Sequence, residues 1–143
     1  KAYNLTSGAL IKTAGLLSTK SYILAYYAKT DASVTVAGGT QSNQRNGIPF
    51  DDWTYHETEI TGATSVQITG SGLIDEVKLF PKVSLMTTYC YTPELLLQSN
   101  CGATGLITYY EYDALQRLHL IKDYKRNVIK AIDYNYSNLP AAN

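Results

Sequence analysis

Cysteine, methionine and long apolar runs are scarce in this chain, and its charges are in balance. The 143 residues include two cysteines and one methionine, with 12 basic and 12 acidic side chains. Because there is no basic excess, nucleic acid is not an expected partner. No apolar run reaches the ~18–20 residues of a membrane-spanning helix, and no signal peptide is recognisable. The totals therefore predict one domain, or one compact module with an appendage.

The few cysteines leave two interpretations open. Cys90 and Cys101 can be two thiols, or they can close a short loop as a disulfide in a secreted protein. A single pair does not make a disulfide framework. The sequence does not decide between the two.

Enzyme motifs are missing as well. No G-x-S-x-G, Walker or H-E-x-x-H pattern occurs in the sequence. A glycosidase pair among Asp51, Asp52, Glu57 and Glu59 would have to flank a cleft, which no pattern specifies. Acidic residues at alternating strand positions usually form a solvated face instead. We therefore predict that the protein is not an enzyme.

Tyrosine, by contrast, is abundant, with 13 copies against two phenylalanines. This residue favours half-buried pleated surfaces, where the ring packs and the hydroxyl stays wet. The segments Ser21–Lys29, Ser33–Gly39 and Trp53–Ile60 are rich in β-branched and aromatic residues, which is typical of strands. Turn signals recur every ~8–12 residues, as in a β-sandwich. The sequence therefore predicts an all-β fold.

Two further segments of the first half carry specific expectations. Leu73–Phe80 is predicted to be a strand that places Leu73, Val77 and Leu79 on one face. The polar stretch "TQSNQRNGIPFDD", Thr40–Asp52, contains glycine and proline and is predicted to be a long loop.

The character of the sequence changes after Pro81–Lys82, where a near-repeat begins. Tyr91, Tyr112 and Tyr134 occupy equivalent positions, and the step from the first to the second is almost the same as the step from the second to the third. A unit of about 20 residues cannot bury its own apolar face and must stack on its neighbours. We therefore predict a structural role for the tyrosines.

This second half resembles the YD-repeat family, also called rearrangement-hotspot (Rhs) proteins, whose repeat reads roughly Y-x-Y-D-x-x-G-R-L, a strand, then D-x-x-G-N. Gln116 and Arg126 stand where the family prefers glycine, so these turns must form without a residue that freely takes positive φ. The resemblance implies a segment of YD-repeat β-hairpins over 83–143, with a short C-terminal tail. The matching positions are Tyr110, Tyr112, Asp113, Arg117, Leu118, Asp123 and Asn127.

The first half is similar to the C-terminal part of galactose-binding-like jelly rolls, the sandwich of many carbohydrate-binding modules. The phrases that carry the likeness are "SYILAYYAKTDASVTVAGG", "WTYHETEITGATSVQITGSG" and "LIDEVKLFPK". The resemblance implies an antiparallel jelly-roll-like β-sandwich over 1–82. This is shorter than such modules usually are, so we expect an N-terminal portion to be missing. A sandwich end followed by "MTTYCY" and "YYEYDA" also resembles large secreted YD-repeat proteins of Bacteroidetes-type bacteria, which implies a secreted or cell-surface location.

Four aromatic residues are candidates for a sugar platform, because pyranose CH faces stack on aromatic rings. They are Trp53, Tyr55, Tyr26 and Tyr27, and the neighbouring segment Thr40–Asp52 is the expected place for recognition. The alternative is that Trp53 is a core or edge anchor and the tyrosines are ordinary strand residues.

Metal binding has little support. Asp75 lies where related jelly rolls often hold calcium, but the adjacent Glu76 would point to the opposite face, so only one of the two could contribute. His56 and His119 are too far apart for metal-ligand spacing. We therefore expect no cofactor and no metal.

Together these patterns predict a non-catalytic structural and adhesive fragment of a YD-repeat protein, with glycan recognition as an added role. The alternative is a carbohydrate-binding module that serves a glycoside hydrolase. The expected partners are further YD repeats of the same protein and a glycan. Exposed strand edges within 107–136, above all around Ile129–Tyr136, also predict homo-oligomers.

Overall fold

A computed structural model describes residues 2–5 and 11–135. These residues form thirteen strands and no helix, and hence no helix that could span a membrane. The all-β class predicted from the sequence is therefore confirmed. The strands are β1 (Tyr3–Asn4), β2 (Ile11–Ala14), β3 (Tyr22–Lys29), β4 (Ser33–Ala37), β5 (Thr40–Asn46), β6 (Trp53–Thr61), β7 (Ser65–Ser71), β8 (Leu73–Pro81), β9 (Thr88–Tyr91), β10 (Leu97–Cys101), β11 (Ile107–Tyr112), β12 (Leu118–Lys122) and β13 (Val128–Ala131).

The chain divides into two compact units. The first comprises Lys1–Thr88 together with Ala103–Gly105, and the second comprises Tyr89–Gly102 and Leu106–Asn143. The sequence placed the boundary after residue 82, close to the end of β8 at Pro81.

The first unit contains two antiparallel sheets. One has five strands in the order β1-β8-β3-β6-β5, and the other has three in the order β2-β7-β4. Leu24, Ile60 and Ile74 from the larger sheet form one buried cluster with Val66 and Ile68 from the smaller sheet. Because both sheets contribute their apolar faces to a single core, they pack as a β-sandwich.

The strands predicted in the first half are present, and their alternation positions the core. β6 pairs with β3 along the whole length of β3, from Tyr22↔Ile60 to Lys29↔Trp53. Ile60 is fully buried in the core, whereas Tyr55 and Glu59 are at odd positions of the same strand and face away from it.

The expected loop over Thr40–Asp52 is wrong for its first part, which is strand β5. This strand pairs antiparallel with β6, from Thr40↔Thr61 to Asn46↔His56. Every β5 residue is exposed, since the strand lies at the edge of its sheet. An edge strand that is solvated on both faces needs no apolar alternation, so its sequence looks like a loop.

The expected grouping of Leu73 with Val77 and Leu79 is also wrong. A β-bulge at Glu76, where φ is +51°, shifts the register of β8 against β3. The extra residue reverses the alternation, so Ile74 shares the core face with Val77 and Leu79 while Leu73 lies on the other face.

The second unit is one antiparallel sheet in the order β13-β12-β11-β10-β9, in which each strand lies beside its neighbours in sequence. β13 is an edge, and all its residues are exposed. The sequence placed this edge around Ile129–Tyr136; the strand covers Val128–Ala131, and Tyr136 lies outside the described residues.

Gly70 on β7 lies where the backbone of β4 approaches closely. Its φ is +144°, and a Cβ there would lie 1.8 Å from the carbonyl oxygen of Ser33 on β4. Gly62 also has a positive φ, +70°, but no atom of a residue beyond its two chain neighbours lies within 4 Å of its Cβ position. We expect Gly70→Ala to lower the free energy of unfolding by ~3 kcal/mol or more and Gly62→Ala by only ~1 kcal/mol. Urea denaturation measures both; equal losses would contradict the close approach.

Candidate functional site

Four turns in the part of the chain that follows β8 share one backbone geometry. In each, the first residue donates its amide to the carbonyl of the fifth, at 2.8 Å for Thr92–Leu96, 3.0 Å for Gly102–Leu106, and 2.9 Å for both Asp113–Arg117 and Asp123–Asn127. The step from the first turn to the third equals the step from the second to the fourth. The recurrence inferred from the tyrosines is therefore also a recurrence of turns. The fourth residue of each turn has a positive φ: Leu95, Gly105, Gln116 and Arg126.

Asp113 holds its turn with both carboxylate oxygens. Its Oδ1 accepts hydrogen bonds from the backbone amides of Leu115 and Arg117, both at 2.9 Å. Its Oδ2 accepts from Arg117 Nε at 2.8 Å and lies 2.6 Å from Arg117 Nη2. The Arg117 side chain, followed by these amides, lowers the pKa of Asp113. The carboxylate supplies the acceptors that the turn amides lack.

Asp123 repeats this arrangement one turn later. Its Oδ1 accepts from the amides of Lys125 and Asn127 at 2.9 Å, and its Oδ2 accepts from Asn127 Nδ2 at 3.0 Å. The Asn127 side chain is the main cause of the lowered pKa of Asp123. The predicted motif residues Asp113, Arg117, Asp123 and Asn127 thus form two equivalent turn caps.

Two tyrosines of the second unit reach back to an earlier strand. Tyr112 donates its hydroxyl to the carbonyl of Leu97, and Tyr134 donates to that of Leu118, both at 3.0 Å. The step between the two acceptors nearly equals the step between the two donors. The same bond therefore occurs twice at the repeat spacing.

Two arginines of the turns lie over tyrosine rings. The guanidinium of Arg117 is 4.3 Å from the ring centroid of Tyr134, and that of Arg126 is 3.5 Å from that of Tyr109. Such cation–π contacts add to the packing of the sheet.

The other two predicted motif tyrosines differ in their contacts. Tyr110 donates its hydroxyl to Asn100 Oδ1 at 3.1 Å, whereas Tyr91 on β9 is 56 % exposed.

The four aromatic residues of the expected sugar platform do not share one face. Tyr26 and Tyr27 are consecutive on β3 and point to opposite sides of the sheet. The rings of Tyr27 and Tyr55 lie together, with centroids 5.4 Å apart and planes tilted by 59°. Tyr26 instead stacks on His56, at 5.2 Å and 21°. Trp53 is half-buried at the start of β6, on the same face as Tyr55. Sugar binding by these residues stays a prediction.

The hydroxyls on the outer face are already engaged within the first unit. Tyr27 donates to the carbonyl of Gly105 at 2.6 Å, and Tyr55 donates to Glu57 Oε2 at 2.7 Å. Glu57 also lies 3.0 Å from Arg45 Nη2. Tyr55, Glu57 and Arg45 thus form one polar network on this face.

The other acidic residues considered for a glycosidase pair have structural roles. Asp51 and Asp52 both have positive φ, +50° and +64°, and form a two-residue hairpin turn between Phe50 and Trp53. Glu59 lies 2.8 Å from Lys82 Nζ, and this bond is the main cause of its lowered pKa. The four acidic residues considered for a glycosidase pair thus lie in a turn and in ion-paired strand positions.

Potential metal ligands are scattered in the described part of the chain. No group of three His, Cys, Asp or Glu side chains there could hold an ion. Asp75 Oδ1 accepts a hydrogen bond from the amide of Glu76 at 2.8 Å, which makes it a local cap of the bulge. Cys90 is half-buried and Cys101 is buried, and both are thiols in this structure.

A cleft in the first unit was not evident from the sequence. It has a volume of about 460 Å³ and lies between β4 and the strands β3, β5 and β6. Its walls include Tyr26, Val34, Gln44, Asn46 and His56. Finding it would have required the pairing of β5 with β6, for which the polar sequence of β5 gave no signal.

No protein-family model matches the chain, and a search of curated proteins finds no match. The resemblances to YD repeats and to galactose-binding-like jelly rolls therefore rest on the residues named above.

The positive φ of Gln116 generates a stability prediction. Gln116 is exposed with φ at +60°, a conformation that costs a side chain ~1 kcal/mol. We expect Gln116→Gly to raise the free energy of unfolding of the second unit by up to ~1 kcal/mol. Ala114→Gly, in the same turn but at a residue without positive φ, should lower it by ~0.5–1 kcal/mol. Urea denaturation measures the free energy of unfolding of both variants. A lower free energy of unfolding in both would show that the fourth turn position does not favour glycine.

The aspartate caps predict acid sensitivity. The folded protein holds the pKa of Asp113 and of Asp123 below the ordinary value, so the unfolded chain takes up more protons as the pH falls. The stabilisation is fully present above the ordinary pKa of about 4 and is lost as the pH falls through the folded values. We expect the gap in thermal unfolding midpoint between the unmodified chain and Asp113→Asn/Asp123→Asn to shrink as the pH is lowered. A gap that is constant with pH would contradict the caps.

Proposed function

We propose that this chain is a non-catalytic structural and adhesive part of a secreted or cell-surface YD-repeat (Rhs-type) protein. The observation that carries the proposal is the regular recurrence of equivalent turns and tyrosine bonds in the second unit. A binding or catalytic site needs one copy of each group. Recurrence of the same contacts is instead the property of a stacked scaffold.

The residue types of the repeat follow from what each position does in a hairpin. An aspartate at the first turn position accepts two backbone amides, as Asp113 and Asp123 do. A tyrosine near a strand end reaches a carbonyl of an earlier strand, as Tyr112 and Tyr134 do. Tyrosine and aspartate together thus close a turn and fix it to its neighbour, which supports the resemblance to the YD motif.

The edge strand supports the proposed partners. Val128 and Ile129 on β13 are 54 % and 62 % exposed, and the outer side of the strand offers unpaired backbone groups. A further hairpin would cover them in a repeat array, so the proposed partners are further YD repeats. In isolation, a second copy of the chain supplies the same backbone groups.

The first unit adds an adhesive role, for which the antiparallel sandwich and its cleft give support. The resemblance to galactose-binding-like jelly rolls favours glycan recognition there. The second candidate function, a carbohydrate-binding module that serves a glycoside hydrolase, is favoured by the cleft but leaves the recurrence in the second unit unexplained.

Edge pairing tests the scaffold proposal. The amide of Ile132 donates to the carbonyl of His119 on β12 at 2.9 Å, so the amide of the preceding Ala131 points away from β12. Ala131→Pro removes this outward donor and no donor that faces β12, whereas Ala131→Val retains it. We expect light scattering to show assemblies larger than the 15.8 kDa monomer at high micromolar concentration for the unmodified chain and Ala131→Val. Ala131→Pro should stay monomeric.

Two results would count against the scaffold proposal. One is a monomer of unmodified chain across this concentration range. The other is association that Ala131→Pro leaves intact, because the contact would then lie elsewhere than the β13 edge.

A further inference from the structure

The cleft of the first unit exists because the chain changes sheets at its mouth. β4 belongs to the three-stranded sheet and β5 to the five-stranded sheet, and Gly38–Gly39 connects them. Near this corner the side chain of Gln41 still bridges the gap, with Nε2 donating to the carbonyl of Val36 at 2.9 Å. Farther along, the space between the sheets opens to about 460 Å³. This volume is in the range of small-molecule sites.

His56 is held as a neutral hydrogen-bond acceptor in the wall of this cleft. Its Nδ1 lies 2.9 Å from Asn46 Oδ1, and since the amide oxygen can only accept, Nδ1 carries the proton. Burial lowers the pKa of His56, which keeps the ring neutral at pH 7. Nε2 therefore retains a lone pair, and Asn46 keeps its amide donors.

The rest of the lining is chemically mixed but without net charge. Val34 and Val36 form an apolar side, and the ring of Tyr26 stacks on His56. Lys29 and Glu57 contribute to the lining, but alternation places their side chains on the opposite face of the sheet, where Glu57 bonds Tyr55 and Arg45. Gln44 adds a primary amide to the cleft. Amides, an imidazole acceptor and an aromatic ring beside apolar carbon suit a neutral ligand with several hydroxyls and apolar CH faces.

We propose that this cleft binds a neutral pyranose unit, with His56 Nε2 and the amides of Asn46 and Gln44 on its hydroxyls and Tyr26 and Val34 against its CH faces. The inference rests on the adhesive role proposed for the first unit and not on the repeat scaffold. It keeps Tyr26 and part of the segment Thr40–Asp52 from the sequence prediction, and it leaves out Trp53, which lies on the opposite side of the same sheet.

The test is an NMR titration of the Val34 and Val36 methyl signals with galactose, glucose, N-acetylglucosamine, lactose and cellobiose, with glucuronate as a charged comparison. We expect saturable shifts with at least one neutral sugar and weaker binding of glucuronate. His56→Ala should weaken binding about tenfold or more, the loss expected for one good hydrogen bond with its orienting contacts. Gln44→Ala, at an exposed edge position, should weaken binding severalfold without risk to the fold.

Trp53→Ala is the matched control, because Trp53 lies on the other face of β6, and it should leave the affinity unchanged. Binding that is lost in Trp53→Ala but retained in His56→Ala and Gln44→Ala would overturn the cleft and leave glycan recognition standing. No methyl shift with any of the sugars would also overturn the cleft. Neither outcome bears on edge pairing of β13, which the Ala131 variants measure separately.

Discussion

The turns and bulges of this structure depend on a backbone conformation that most side chains avoid. Seven residues other than glycine have a positive φ in the described part of the chain: Asn43, Asp51, Asp52, Glu76, Leu95, Gln116 and Arg126. Each lies where a strand reverses, bulges or begins. The left-handed conformation costs ~1–2 kcal/mol per side chain, so the surrounding hydrogen bonds must hold it. Asp113 and Asp123 do so by binding the amides of the same turn.

Partial burial of the aromatic rings explains why the second unit uses tyrosine rather than phenylalanine. The tyrosine rings of β11 are only partly buried, so a purely apolar side chain would gain little there. Tyrosine adds a hydroxyl that reaches a carbonyl on an earlier strand, as Tyr112 reaches Leu97 and Tyr134 reaches Leu118. The Tyr112 bond joins β11 to β10, and the Tyr134 bond joins the segment after β13 to β12, so both stabilise the order of the hairpins.

Alternation in the sequence predicted the strands of the sandwich. Sequence patterns failed where the structure of a segment depends on the strand that pairs with it. β5 is polar throughout because both its faces meet solvent, so it carries no periodic signal. The bulge at Glu76 moves Leu73 off the core face, and no residue type in the segment predicts the bulge. The separation of Tyr26 from Tyr27, in contrast, follows from the two-residue period alone.

The cleft follows from the unequal widths of the two sheets. Three strands cannot cover five, so part of the β5–β6 edge faces β4 across open space instead of a packed layer. Apolar residues there would leave an exposed patch, which explains why Gln44, Asn46 and His56 occupy the opening while Ile60 and Ile68 fill the closed part of the core. Their polarity alone would be satisfied by water. The hydrogen bond from His56 to Asn46 and the stacking of His56 on Tyr26 fix one acceptor, His56 Nε2, beside one aromatic ring. A preorganised pair of this kind selects among ligands, which solvation by water does not require.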